Sequence, residues 1–437
     1  MTATVAPAKF PRAAMAPAER PPTPHLRALT GLRLVAALLV VMFHFLTIHP
    51  SAGAGPWPVI ARIGAHVVAS GYTGVSFFFL LSGFILAYTY LDAQGRLRVT
   101  RSGFWWARVA RIYPVYALAI LVSFVPYQQW GAWHEQFCVG GHPFLEGNRP
   151  LVTWLGAIFM LQAWLPCSMT WNAPAWSLSV EAVFYLLFPL IALGTARLRW
   201  RGLLVCAVGA WALTLAAALA YLALSLDASA MRTAWWERYW AWIFYSNPLL
   251  RLPEFLIGIA LGRLFVTRTA MAAGPVRPVR PVRPTGPPRE LSGPMALAGL
   301  LRARHVTVLA AAGIVAIWCL GPLPLMLFNQ VLLDPLYAVL IYGLAFGEGP
   351  LAALFASSAI VLLGEASYAM YILHWPIRYW LGHYVPRLPL GTPPFLAAST
   401  VYFFVYLCVV IGLSVLSFRF VEQPARRVIN QTVKRRR

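Results

Sequence analysis

The sequence predicts an all-α protein, a polytopic membrane helical bundle of about ten transmembrane helices plus one re-entrant or interfacial segment. Three observations lead there. Sixty per cent of the 437 residues are apolar and only 11% are charged, against about 25% charged in an ordinary soluble domain. The apolar residues come in repeated runs, several of them near the ~20 residues that a helix needs to cross a hydrocarbon core of about 30 Å. Basic residues cluster in short connections beside those runs, the pattern of cytoplasmic loops. The net charge of +22 therefore reads as topology and affinity for a lipid surface, and no nucleic-acid partner is expected.

Residues 1–25 are rich in Ala and Pro and carry Lys9, Arg12 and Arg20 with no apolar core, so they read as a disordered cytoplasmic tail and not as a cleavable signal peptide. Apolar runs follow at 32–50, 72–91, 112–127, 151–165, 174–194, 202–225, 248–266, 306–326, 330–346, 366–384 and 395–418. The loop charges test that count of eleven. Arg96, Arg98, Arg101, Arg108 and Arg111 fall between the second and third runs, Arg197, Arg199 and Arg201 follow the fifth, and seven Arg from Arg268 to Arg304 follow the seventh. All of these favour the cytoplasm, as do the N-terminal tail and the closing "KRRR". Eleven crossings would put the termini on opposite sides, whereas ten put both inside.

The conflict resolves if the 151–165 run does not cross. It holds only 15 residues and is followed by the uncharged "PCSMTWNAP". A re-entrant or interfacial segment is expected there, within an outer-face elaboration over 128–173, and re-entrant backbone is tolerated where protein or cavity water satisfies it. Cys138 and Cys167 would share that oxidising side, either as a disulfide or as two thiols. Five Cys in 437 residues exclude a disulfide scaffold, and no spacing resembles a metal site. Residues 267–304, with "PVRPVRPVRP" at 275–284, read as a basic, Pro-rich cytoplasmic loop suited to an anionic lipid surface. Residues 26–425 form one membrane domain, and 426–437 a basic cytoplasmic tail.

Within that domain, Arg33 and His44 stand eleven residues apart in "GLRLVAALLVVMFHFLTI". At about 100° per residue the step turns roughly 1100°, about 20° past three full turns, so both side chains share a helix face. The rise separates them by roughly 16 Å, which places Arg33 at the membrane edge and His44 near the midplane. An ionisable group at that depth is a functional candidate, although a neutral His packed between helices has the same pattern. Other polar faces repeat the geometry. Ser177, Glu181 and Tyr185 follow at i, i+4, i+8 in "WSLSVEAVFYLLFP", and Ser367, Tyr371, His374 and Arg378 share one face of "GEASYAMYILHWPIRYW". In "RLPEFLIGIALG", Arg251 and Glu254 read as an internal ion pair, and Gly258 with Gly262 as a close-packing seam.

A His titrating near neutrality can deprotonate a hydroxyl, and a carboxylate can orient it or share the proton. Arg side chains suit the phosphates of a cytosolic donor. The same inventory would serve a proton-coupled transporter with His44 and Glu181 as relays.

The motifs separate these readings. "LRALTGLRLVAALLVVMFHF", "GVSFFFLLSGFILAY" at 74–88, "FWWARVARIYPVYAL" at 104–118, "WSLSVEAVFYLLFP" at 176–189, "GEASYAMYILHWPI" at 364–377 and "RFVEQPARR" at 419–427 resemble, in order, the signature of the membrane-bound acyltransferase-3 family. The resemblance implies a bundle of about ten helices, in agreement with the count from loop charges that puts both termini in the cytoplasm of a cell-membrane protein. It implies transfer of an acetyl or other short acyl group from acyl-CoA, a co-substrate and not a bound cofactor, to a hydroxyl of a carbohydrate or glycosylated acceptor. Surface polysaccharides, glycolipids and macrolide-type sugars are the acceptor classes it suggests. Carried over by residue, His44 would be the general base and Glu181 would contact the acceptor or tune its protons. Arg33, Arg108 and Arg111 would hold the donor, and Ser177, Tyr185, Tyr371, His374 and Arg378 are candidate substrate contacts. Many family members that modify polysaccharide carry a fused extracytoplasmic hydrolase-like domain, which this sequence lacks, an expectation that favours direct delivery to the acceptor or a separate partner protein.

Overall fold

A computed structural model describes residues 26–46, 58–130, 150–165, 171–224, 243–273, 299, 304–320, 327–384 and 393–435. The chain runs through α1 (Arg27–Leu46), α2 (Pro58–Ala69), a 3₁₀ turn (Ser70–Thr73), α3 (Gly74–Tyr90), α4 (Arg101–Trp130), a short α5 (Pro150–Ile158), α6 (Trp176–Ala196), α7 (Trp200–Ala223) and α8 (Pro248–Ala273). It continues through α9 (Arg304–Leu320), α10 (Leu333–Ala345), α11 (Pro350–Phe355), α12 (Ser358–Glu365), α13 (Ser367–His383), α14 (Pro393–Ser417) and α15 (Gln423–Arg435). Among the described residues there is no strand, only an antiparallel bridge between Leu91 and Leu97.

The burial pattern is that of a membrane protein. Val205, Leu213 and Phe404 are exposed while Arg251, Glu254 and Asp334 are fully buried, an inversion that hydrocarbon solvent tolerates and water does not. Six helical segments among the described residues are long and apolar enough to cross a membrane, or seven if α12 and α13, bent by 58°, make one span. That is fewer than the ten expected from loop charges. The runs at 306–326 and 330–346 are occupied by shorter apolar helices, α9 of 17 residues and α10 of 13. The run at 248–266 is occupied by α8, which carries Arg251, Glu254 and Arg263.

The 151–165 run contains α5, nine residues long, or about 13 Å at 1.5 Å per residue. It leaves the helix through Met160, whose φ of 56° is left-handed, so this run is too short and too bent to cross as a helix. Residues 1–25, Cys138 and Cys167, and most of the 267–304 loop lie outside the described residues.

Several boundaries differ from the apolar runs because charged residues join the helices. α4 begins at Arg101, so Arg108 and Arg111 are helix residues and not loop residues. α1 begins at Arg27, whose guanidinium donates to the Ala356 carbonyl at 3.1 Å and 3.0 Å. His44 consequently lies in the last turn of α1 as described and not halfway along it. The basic segment expected as a tail from 426 is helical as far as Arg435 and packs against α4.

Two devices set the packing. The seam on α8 is real: a Cβ on Gly258 would lie 2.0 Å from the Leu80 carbonyl oxygen, one on Gly262 2.6 Å from that of Phe84, and one on Gly83 of α3 2.3 Å from that of Phe255. Only hydrogen at these positions lets the backbones of α3 and α8 touch. The second device concerns proline, which lacks an N–H and so orphans the carbonyl four residues earlier. Pro126, Pro189 and Pro376 lie inside α4, α6 and α13. The carbonyls they free, on Val122, Tyr185 and Ile372, accept from Trp380 Nε1 at 2.9 Å, Trp105 Nε1 at 3.1 Å and Asn172 Nδ2 at 2.9 Å. Where no water reaches, a side chain from another segment replaces the missing donor.

Candidate active site

α1, α3, α4, α6 and α13 enclose a cavity of about 150 Å³. Its wall carries Arg33 from α1, Arg108 and Arg111 from α4, Ser177, Glu181 and Tyr185 from α6, and Tyr371 from α13. Eight residues singled out from the sequence, these seven and Ser367 of α13, therefore share one space, although they come from four helices spread over 339 positions of chain between Arg33 and Tyr371. The helical spacing accounts for this: the i, i+4, i+8 series on α6 presents Ser177, Glu181 and Tyr185 on one face.

The Glu181 carboxylate accepts from Ser82 Oγ at 2.9 Å and from the Tyr185 hydroxyl, both at Oε1. Arg108 donates to the Tyr90 hydroxyl at 2.7 Å and lies over the rings of Tyr90 and Tyr185 at 5.1 and 5.7 Å, so aromatic faces share its charge. Its buried Nε has no hydrogen-bond partner among the described residues. Arg111 pairs with the fully buried Glu422, which also faces Arg426 at 3.6 Å. Ser177 and Tyr371 are bound to each other at 2.7 Å, and each lies within hydrogen-bond distance of the Pro174 carbonyl, at 3.0 and 3.1 Å. They form a fixed wall where α6 begins.

His44 and His374 do not line this cavity; they pair with each other on its α13 side. Their ring nitrogens, His44 Nδ1 and His374 Nε2, are 3.2 Å apart. His374 Nδ1 lies 2.6 Å from the Tyr371 carbonyl oxygen, and His44 Nδ1 3.0 Å from that of Val40. A carbonyl only accepts, so each Nδ1 carries the hydrogen. His374 Nε2 is then an acceptor for His44 Nδ1–H, and the lone pair of His44 is on Nε2. The rings of Trp375 and Phe43 flank His44 at 5.3 and 5.1 Å. Tyr371 joins the two groups, with its side chain on the cavity and its carbonyl on His374.

Arg378 also lies away from the cavity. It donates to the His44 carbonyl at 3.4 Å and packs over Trp375 and Tyr379, which makes it a cation at the C-terminal end of α1, where the last carbonyls lack helix partners. Arg378, expected as a candidate substrate contact, thus stands against the end of α1 and off the wall of this cavity. Ser82, Asn172, Glu422 and Arg426 are site or support residues that sequence reasoning missed. Glu422 and Arg426 both stand in the quoted "RFVEQPARR", where Arg426 read as the start of a basic tail and Glu422 gave no signal of its own. Ser82 gives no signal of its own. Among the described residues no group of three or more His, Cys, Asp or Glu is placed to hold a metal ion.

Comparison with known proteins shows the family of the chain. The profile of the acyltransferase domain matches residues 26–419. An acyltransferase of Streptomyces mycarofaciens, MdmB, is 29% identical over 362 residues, which cover 82% of this chain and 80% of that protein. Protein 2 of the picA locus of Rhizobium radiobacter is 38% identical over 92 residues, 21% of this chain and 40% of that protein. No solved structure matches. With the family profile spanning nearly the whole described bundle and the site, the chain belongs to the acyltransferase-3 family of membrane acyltransferases.

Proposed function

We propose that this protein is an acyl-CoA-dependent O-acyltransferase that moves an acetyl or other short acyl group to a hydroxyl of a carbohydrate or glycosylated acceptor. The observation that carries the reading is the cavity holding three guanidinium groups and Glu181, with a hydrogen-bonded histidine pair beside it. Arg33, Arg108 and Arg111 would meet the donor phosphates, for which bidentate, permanently charged groups are suited. The acyl end would extend past Tyr371 toward the histidines. His44 Nε2 would take the acceptor hydroxyl proton as the oxygen attacks the thioester carbonyl. The C–O bond forms, the C–S bond breaks, and the imidazolium returns its proton to the departing thiolate. His374 accepts from the far side of His44 and so holds its tautomer and supports the imidazolium. Glu181 would orient the acceptor. The protein would act in the cell membrane, with both termini and the arginine-lined end of the bundle in the cytoplasm.

The test incubates membranes containing the protein with radiolabelled acetyl-CoA and longer acyl-CoAs and identifies the labelled product. Label on a carbohydrate hydroxyl that disappears in His44→Ala, with the variant still inserted, is the expected result. Absence of label from every acyl-CoA, or movement of a solute across vesicles without acyl-CoA consumption, overturns it.

A further inference from the structure

We infer that Arg426 is a fourth donor-binding cation, held beside the cavity by the buried Glu422, and that the C-terminal helix is thereby part of the acyl-CoA site. This rests on the acyl-CoA reading of the cavity. The π-helical turn Phe418–Glu422 links α14 to α15 and carries Glu422 into the bundle, where it is fully buried. A lone buried carboxylate is costly, and Arg111 from α4 pairs with it. Arg426, one turn further along, meets the same carboxylate at 3.6 Å while its side chain stays 41% exposed. One carboxylate thus holds two guanidinium groups, one on the cavity wall and one beside it.

The charges around this point do not balance. Arg33, Arg108 and Arg426 are all electrostatic neighbours of Arg111, and Glu365 neighbours both Arg33 and Arg426. Among the described residues, the four guanidinium groups of Arg33, Arg108, Arg111 and Arg426 thus lie near three carboxylates, Glu181, Glu365 and Glu422. The donors are also unsaturated: Arg108 Nε has no partner among the described residues, and Glu422 at 3.6 Å engages few of the five N–H groups of Arg426. A ligand with several phosphates supplies both the missing charge and the missing acceptors. Because Arg426 lies off the cavity wall and reaches the surface, it would meet a phosphate remote from the thioester.

The experiment uses the full chain purified in neutral detergent and measures displacement of labelled acetyl-CoA by acetyl-CoA and by acetyl-pantetheine, which lacks the phosphates. The ratio of the two inhibition constants reads the contribution of the phosphates alone. Arg426→Gln is expected to lower that ratio about tenfold, the scale of one charge-assisted contact, by weakening acetyl-CoA and leaving acetyl-pantetheine unchanged. Arg426→Lys should recover part of the loss, and Arg427→Gln, the same charge change on an exposed neighbour, should leave the ratio within about twofold. Equal weakening of both competitors would show a merely structural role and overturn the inference. So would an unchanged ratio, an equal loss in Arg427→Gln, or a loss seen only with added phosphatidylglycerol, which would assign Arg426 to lipid headgroups. Failure of the wild-type protein to bind any acyl-CoA would instead overturn the donor reading on which this rests.

Discussion

A single imidazole is a poor base unless one nitrogen is committed to donation and the other left basic. Here two carbonyls make that commitment: Tyr371 fixes His374, and Val40 together with His374 fixes His44. The substitution that separates this orienting role from simple packing is His374→Gln against His374→Leu. The glutamine amide can accept from His44 Nδ1 and donate to Tyr371, whereas leucine does neither. Transfer by His374→Leu should have a kcat lower by roughly 10–100-fold, the usual cost of losing a residue that orients a functional group, and His374→Gln should recover most of it. KM for acyl-CoA should move little in either, since neither histidine lines the cavity. Initial rates of labelled transfer check this, and a KM effect without a kcat effect would place His374 in donor binding instead. His44→Ala should remove about 10²–10⁴ of the rate.

At the scale of elements, much of the site was legible because helical periodicity is a local property. Ser177, Glu181 and Tyr185 were set on one face by spacing alone, and the cavity wall uses them all. Contacts between elements were less legible. Nothing local says that "WNAP" delivers Asn172 to the carbonyl freed by Pro376, or that Glu422 turns inward to meet Arg111. The helix extensions through Arg27, Arg108 and Arg111 were hidden for a related reason: charged residues end an apolar run in a sequence but continue a helix when partners satisfy them. Two predictions belong here. Asn172→Leu should destabilise the protein by about 1–3 kcal/mol by leaving the Ile372 carbonyl unpaired in a dry interior, seen as a lower midpoint of thermal unfolding in detergent. Gly258→Leu should cost at least about 1–3 kcal/mol through overpacking, because its Cβ would collide with the Leu80 backbone. Gly209→Ala, with nothing within 4 Å of the new Cβ, should be neutral or stabilising by up to about 1 kcal/mol. Equal effects at Gly258 and Gly209 would mean that α3 and α8 are not in backbone contact.

For the molecule as a whole, Arg33, Arg108, Arg111 and Arg426 gather toward one end. Arg27 is tied to Ala356 at the end of α11, a Cβ on Gly31 would strike Phe355, and one on Gly364 would strike Thr30, so the first turns of α1 are locked against α11 and α12. Arg33 of α1 and Arg108 of α4 line the same cavity, and α15 packs against α4. These cations therefore lie toward one side of the bundle, and basic residues at membrane edges favour the cytoplasm. His44 and Arg378 lie toward the opposite end of α1. If the arginine end faces the cytoplasm, the N-terminal tail and α15 lie on the same side, and the number of crossings is even. Ala3→Cys and Arg437→Cys, each in a chain freed of its native cysteines, should then both resist a membrane-impermeant maleimide in intact cells and react once the membrane is opened. Restoring Cys138 or Cys167 alone should give labelling without opening, since a non-crossing 151–165 run leaves both on the outer face. Labelling of one terminus but not the other would require an odd number of crossings. It would also detach the arginine end from the side on which acyl-CoA is made, and with it the direction of transfer from Arg33 toward His44.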